Sequence, residues 1–298
     1  MNLQKNKIFY WANSQLNNDG EGILANNFLF LLKKNFKNSS LISINKIKLK
    51  NNQSIFAKYI MPFYGVILLW KYYLKNEKIS YINYLPAWNF LLILLLPPNT
   101  IIGPVTGSIN RKNWNFFFTL LSLIGIKFLL IKYKKIIFSH DFFKNLIPKK
   151  KLNNYYFNFL LFNFKKKKTS NRKKFDFIFY LRDHENKGNQ FIFELIKVLS
   201  NKKYKICIIG QKIRFNKNTI SYGKVKKSKA LKLISSSKYS VGSAENLYSF
   251  FVLDSLQYNL KVFVNKEFQI DKNLLSSKKV FGIDFNNLNK TINIIEKS

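Results

Sequence analysis

Short β-rich apolar runs, each followed by a polar or glycine-containing loop and then a stretch of helical length, recur along the whole sequence. This alternation constrains the fold more than any other feature. In the first half the strand candidates are 7–11, 41–44, 79–82, 100–105 and 135–138. Helix-length segments at 23–36, 56–74, 87–98 and 116–131 lie between them, the second interrupted or kinked near Pro62. Strand after strand linked through a helix is the pattern of a parallel sheet covered on both faces. Ligands of such sheets bind beyond the carboxyl ends of the strands. The loops 13–22, 83–86 and 103–108 and the corner Ser139-His140 therefore draw attention.

Charge runs interrupt the alternation. Lys149–Lys151 and the run 165–174 flank an aromatic segment, 155–164, and the second run reads as a solvated linker. Beyond it the alternation restarts: strands at 175–180, 205–209, 220–223, 239–241 and 261–264, helices at 189–200, 226–236 and 246–258, with the segments 281–285 and 288–295 closing the chain. The expectation is two domains, 1–164 and 175–298, joined by a basic linker at 165–174. A length of 298 residues suffices for two α/β domains, and 47% hydrophobic residues supply two cores.

Cys207 is the single cysteine, which excludes an internal disulfide framework and a thiolate zinc cluster, and His140 and His184 are too few for a His-rich metal site. Lys and Arg number 51 against 14 acids, a net charge of +37. The excess is evenly spread, with 22 basic and 4 acidic residues up to position 164 and 29 and 10 beyond it. No basic tail forms, so the surplus reads either as composition bias or as attraction to anionic lipid headgroups. The segments 87–98 and 116–131, the latter broken by Lys127, are too short to span a bilayer and read as buried or interface-lying helices. The polar start 1–6 lacks a secretory signal core. A cytoplasmic protein is expected, with peripheral attachment to the inner face of the plasma membrane as the added option.

Candidate site residues fall in the loops. Arg182 and Lys187, followed by Gly188 and a helix start, form either a cationic cradle for a diphosphate or two basic residues of a lysine-rich chain. Glu245 stands before a helix and Asp254 lies nine residues on. The first is either a cap favoured by the helix dipole or a ligand group. Gly20, Glu21 and Gly22 make either a turn before a helix or a loop open to close approach of a ligand. The stretch 103–108, with Gly107, is a second such loop, and His140 and His184 are options for acid or base work.

The order of these elements in the second half resembles the carboxyl-terminal domain of GT-B glycosyltransferases, in particular the retaining "group 1" family of surface-polysaccharide enzymes. The likeness rests on Phe179-Tyr-Leu-Arg182 with Lys187-Gly188 and on Ile206-Cys-Ile-Ile-Gly210. It continues through Ser221-Tyr-Gly223-Lys-Val225 to Val241-Gly-Ser-Ala-Glu245-Asn246-Leu247 with Asp254. That last segment is similar to the family's Glu-x7-Glu element, with Asp254 one residue further along. In the first half Gly20–Gly22 and 102–108 are similar in layout to acceptor-side loops.

The resemblance implies an α/β protein of two Rossmann-like doubly wound domains facing a cleft. It also implies transfer of a sugar, with retention, from a nucleotide-sugar donor to a growing lipopolysaccharide, capsule or exopolysaccharide, with a glycan or lipid-linked oligosaccharide as acceptor. Carried over, Arg182 and Lys187 neutralise the departing diphosphate, Glu245 holds the donor sugar and Asp254 the ribose. Gly188, Gly210, Gly223, Val225, Asn246 and Leu247 complete the donor side; Gly20, Glu21, Gly22, Gly107 and His140 belong to the acceptor side. No metal or other cofactor is expected. The alternatives are an inert GT-B-like scaffold, suggested by the shifted Asp254, and, as the lesser one, a basic nucleic-acid-binding protein.

Overall fold

The computed structural model describes residues 6–13, 20–45, 60–106, 116–139, 144–157, 159–161, 164–182, 188–244, 249–266 and 279–298. The chain divides into two units, Met1–Asn163 and Phe164–Ser298.

In the first unit the strands are β1 (Asn6–Ala12), β2 (Ser39–Ser43), β3 (Lys78–Pro86), β4 (Ile101–Thr106) and β5 (Ile136–Phe138). They form one sheet in the order β2-β1-β3-β4-β5, with every pair parallel. The helices are α1 (Gly20–Asn35), α2 (Met61–Tyr73), α3 (Phe90–Leu95) and α4 (Phe116–Lys132). Strands are added outward in both directions from β1. Right-handed crossovers therefore put α1 on one face and α2, α3 and α4 on the other. Their inner stripes recur at helical spacing: Leu24, Phe28 and Leu31 on α1, Met61, Val66 and Leu69 on α2, Ile126 and Leu129 on α4. On the α1 face, Phe28 stacks obliquely on Phe159 of the irregular segment after β5, ring centroids 5.5 Å apart.

Pro62 stands in the first turn of α2, where its missing N–H costs nothing, and 56–59 of the expected helical region lie outside the described residues. Two expectations for this unit, both of loops, are corrected. The loop expected at 83–86 is part of β3, and Gly103 and Pro104 lie inside β4 and not in a loop. Gly103 pairs with Ile82, and a register shift between Ile82 and Leu85 absorbs the irregularity.

In the second unit the strands are β6 (Phe175–Tyr180), β7 (Ile206–Ile209), β8 (Thr219–Ser221), β9 (Ser237–Val241), β10 (Lys261–Asn265) and β11 (Val280–Ile283). Their order is β11-β10-β9-β6-β7-β8, again all parallel. Numbered from β6, this is the doubly wound order of dinucleotide-binding domains. The helices are α5 (Asn189–Asn201), α6 (Lys227–Ser235), α7 (Phe250–Gln257) and α8 (Leu288–Glu296).

The two-residue period of the strands sorts this core into two layers. Phe177, Phe179, Ile206 and Ile208 pack with Ile192, Leu195 and Leu199 of α5 and Ile295 of α8. Ile178, Cys207 and Ile209 pack with Ile234 of α6 and Phe251 of α7. Burial pushes the Cys207 thiol up to about 12, so it remains protonated and acts as a small apolar side chain. The basic segment 165–174 has no helix or strand. Its backbone is tied to the second unit through Lys167 N–H to the Gln257 carbonyl (2.7 Å) and Lys174 N–H to that of Ser236 (2.8 Å).

Candidate functional site

In a doubly wound sheet the crevice for ligands opens where strands run off in opposite directions from neighbouring positions. In the second unit that place lies between β6 and β9, which pair directly. Beyond β6 come Leu181 and Arg182, and beyond β9 come Gly242, Ser243 and Ala244. The α5 helix then starts at Gly188, whose φ of +67° is left-handed. A Cβ at Gly188 would stand 2.8 Å from the Ala244 Cβ, so the two loops on either side of the switch point touch there. A side chain at Gly188 would wedge them apart.

Two further bonds brace these loops. Asn189 Nδ2 donates to the Arg182 carbonyl (2.9 Å), closing the β6–α5 loop on itself. Asn265 Nδ2, at the end of β10, donates to the Ala244 carbonyl (3.2 Å). The Arg182 side chain is exposed. Gly210 ends β7 with a φ of +100°, and its α-carbon lies against the Leu181 carbonyl oxygen, where a Cβ would collide. Its N–H donates to the Gly223 carbonyl (2.8 Å), which joins the ends of β7 and β8 beside the site. Val225 is half-buried against the layer that holds Cys207.

Asp254 lies within α7, where its Oδ2 forms an ion pair with Lys227 Nζ of α6. The carboxylate is largely buried, at 14% exposure, so the ammonium neutralises a charge that water reaches poorly. Lys227 also lies over the Phe250 ring, 5.9 Å from its centroid. Ser249 caps α7 by accepting from Val252 N–H, so this helix starts at Phe250 and not at 246 as the pattern predicts. Lys187, His184, Glu245, Asn246 and Leu247 lie outside the described residues.

On the first unit, Gly20, Glu21 and Gly22 are the first turn of α1, a correction to the loop expected at 13–22. Glu21 is favoured there by the helix dipole, and Gly22 is buried. Burial, opposed by Asn83 and reinforced by Glu21, raises the pKa of the Tyr81 phenol on β3. Gly107 and His140 lie outside the described residues. A depression of about 360 Å³ lined by Lys34, Lys37 and Lys78 opens at the starts of β2 and β3, the end of the sheet remote from the ligand-facing loops.

The structure thus brings Arg182 and Gly188 together around one switch point, with Gly210 and Gly223 beside it. Sequence reasoning missed Asn189, Ala244, Asn265 and Lys227. Asn189, next to Gly188 at a helix start, carried a readable signal. The other three act through contacts between elements distant in sequence.

No protein-family model matches the sequence, and no curated protein matches it. Solved structures do. The chain is similar to a sucrose-phosphate synthase from Thermosynechococcus elongatus, with a TM-score of 0.61 and 9% identity over 98% of this chain and 89% of that one. It is similar to an alpha-glucosyltransferase solved with UDP and a 13-mer DNA (TM-score 0.53, 13% identity, 98% and 90% covered). The UDP-GlcNAc 2-epimerase from Methanocaldococcus jannaschii also matches (TM-score 0.53, 11% identity, 97% and 91% covered). Two parallel Rossmann-like sheets, matched over nearly the full length by glycosyltransferases of this architecture, identify the fold of the chain as GT-B.

Proposed function

We propose that the protein is a glycosyltransferase that binds a nucleotide sugar at the β6/β9 switch point and passes the sugar to a growing cell-surface glycan. The observation that carries this reading is the strand order β11-β10-β9-β6-β7-β8, with exposed Arg182 and the Gly188–Ala244 contact at its point of reversal. In the proposed mechanism the Arg182 guanidinium, with Lys187 from the same loop, neutralises charge developing on the departing diphosphate. Preorganised cations of this kind stabilise a leaving group most where water is excluded. Glu245 accepts hydrogen bonds from the donor sugar. Asp254 uses Oδ2 for Lys227 and Oδ1 for a ribose hydroxyl. Retention of configuration, a lipid-linked acceptor and a lipopolysaccharide, capsule or exopolysaccharide product complete the reading.

Similarity to a 2-epimerase favours one second reading, rearrangement of a UDP sugar without an acceptor. The test is a thermal-shift series with UDP, GDP, ADP and CMP, followed by incubation of the matching nucleotide sugar with and without a glycan acceptor. A nucleotide at 100 times its Kd adds about 2.7 kcal/mol of apparent stability. Arg182→Ala should weaken that nucleotide by about 2 kcal/mol, the scale of a hydrogen bond to a charged group. An unshifted melting temperature with every nucleotide overturns the proposal. An acceptor-independent change of the sugar replaces transfer with epimerisation.

A further inference from the structure

The outward faces of α2, α3 and α4 form a second surface with its own chemistry. On α2 the exposed residues Ile60, Tyr64, Ile67, Trp70 and Leu74 recur at spacings of three and four, with Ile67 66% and Leu74 75% exposed. On α4 the exposed stripe is Phe117, Leu120, Phe128 and Ile131, the last 81% exposed. Between them α3 shows Leu91 and Leu95 to solvent. The three helices are knitted into one layer: Trp70 Nε1 donates to the Leu95 carbonyl (2.7 Å), and Lys132 Nζ donates to that of Leu94. Tyr133 adds a bond from its hydroxyl to the Leu96 carbonyl (3.2 Å). Exposed apolar residues scattered singly are ordinary, but a continuous layer across three helices marks an interaction surface.

The charges choose the partner. Residues 60–74, 90–95 and 116–134 contain no Asp or Glu, and exposed Lys71 and Lys127 lie within the apolar stripes, with Lys75 and Lys134 at their ends. Lysine is depleted from the centre of protein–protein interfaces. A symmetric contact between two copies would set Lys71 and Lys127 against one another with no acid on the three helices to pair them. At a bilayer surface the same residues fit. Apolar side chains enter the headgroup boundary, Trp and Tyr favour that depth, and lysine stems lie along the apolar surface with their ammonium groups among anionic headgroups.

We propose that the α2–α3–α4 face docks the first unit onto an anionic lipid bilayer, lying in the interface without crossing it. Among the described residues no helix is long and apolar enough to cross a membrane. The inference is independent of the transferase reading, because its readout is vesicle binding and not sugar transfer.

The experiment is co-sedimentation of the full chain with vesicles of phosphatidylcholine alone and of equal parts phosphatidylcholine and phosphatidylglycerol. Wild type should bind the anionic vesicles, and more weakly as salt rises. Ile67→Gln and Ile131→Gln should each lower the partition coefficient roughly tenfold. Lys71→Gln and Lys127→Gln should each lower it about fivefold. Lys197→Gln, on the outer face of α5, should leave it within about twofold. All five positions are exposed or half-exposed, and circular dichroism checks that each variant folds. Three results each overturn the proposal: no binding to anionic vesicles, binding that the two Ile→Gln changes leave untouched, or a lipid-free dimer that those changes dissociate in sedimentation velocity.

Discussion

The helices of the two units differ on the side that faces away from their sheets. In the second unit α5 shows Gln190, Glu194, Lys197 and Asn201 to solvent, and α8 shows Asn289, Lys290, Asn293 and Glu296. In the first unit the corresponding stripes of α2 and α4 are led by Ile67 and Leu74 and by Phe117 and Ile131. The inner stripes, by contrast, are alike: Leu69 and Leu129 are as fully buried as Leu195 and Leu199. Inward faces thus carry the fold in both units, while outward faces are free to record what each surface meets.

The largest effects should come from the inner faces, equally in the two units. Leu129→Ala and Leu195→Ala should each cost about 2–5 kcal/mol in denaturant unfolding, because each leaves a cavity under a helix. A cost near zero at Leu129 alone would mean that the first unit relies on something other than its sheet-facing core.

Next in size is helix capping, which each unit uses at some helices and not at others. In the second unit α7 and α8 are capped by Ser249 and Asn287, whose side chains accept from Val252 and Lys290 N–H groups. In the first unit Asn89 caps α3 by accepting from Leu92 N–H, while α2 has no side-chain cap. Ser249→Ala should therefore cost about 1 kcal/mol in the second unit. It should also loosen the start of α7, which a weaker thermal shift by nucleotide would register if α7 borders the donor site.

A smaller effect, and the sharper test of the comparison, is expected outside. Ile131→Gln should change lipid-free stability by no more than about 0.5 kcal/mol, as for other exposed positions. A loss comparable with Leu129→Ala would show that the outer stripe of α4 supports the fold after all.

Much of this architecture was legible in the sequence because strands buried on both faces must be apolar throughout. The run 175–180 matches β6 at both ends, and 206–209 falls within its expected strand. The misreadings occurred where a residue type marks a break only in isolation. Gly103 and Pro104 suggest a loop, yet pairing with β3 holds them in β4. Gly20 and Gly22 suggest a turn, yet a first helical turn with Glu21 accepts them. At the site, Arg182 and Gly188 were readable because loop, glycine and helix start are contiguous. The Lys227–Asp254 pair was not, since it depends on two helices 27 residues apart lying side by side. Nor was the apolar outer layer fully legible, because an amphipathic pattern does not tell which stripe meets the sheet when both are apolar.

The last contrast is electrostatic and predicts which unit loosens in acid. Among the described residues the second unit holds Asp176–Lys238, Lys227–Asp254, Lys202–Glu296 and Lys266–Asp284 ion pairs, and the sequence places 4 acidic residues up to position 163 against 10 beyond it. The Lys266 ammonium, then the Asn286 N–H, hold the Asp284 carboxyl below its ordinary value of 3.8. A depressed carboxyl stabilises the folded state fully above the unfolded value, and this stabilisation is lost as pH falls through the lower folded value. Lys266 is half-exposed, so the contribution is a few tenths of a kcal/mol and further reduced by salt. Asp284→Asn should accordingly flatten the acid limb of a stability-against-pH curve below about pH 4 while leaving the neutral-to-alkaline part parallel to wild type. A variant whose acid limb stays as steep as that of wild type would move the acid sensitivity to the other carboxylates of the second unit. If the probes of the first unit respond first, the assignment of acid sensitivity to the ion-paired unit fails.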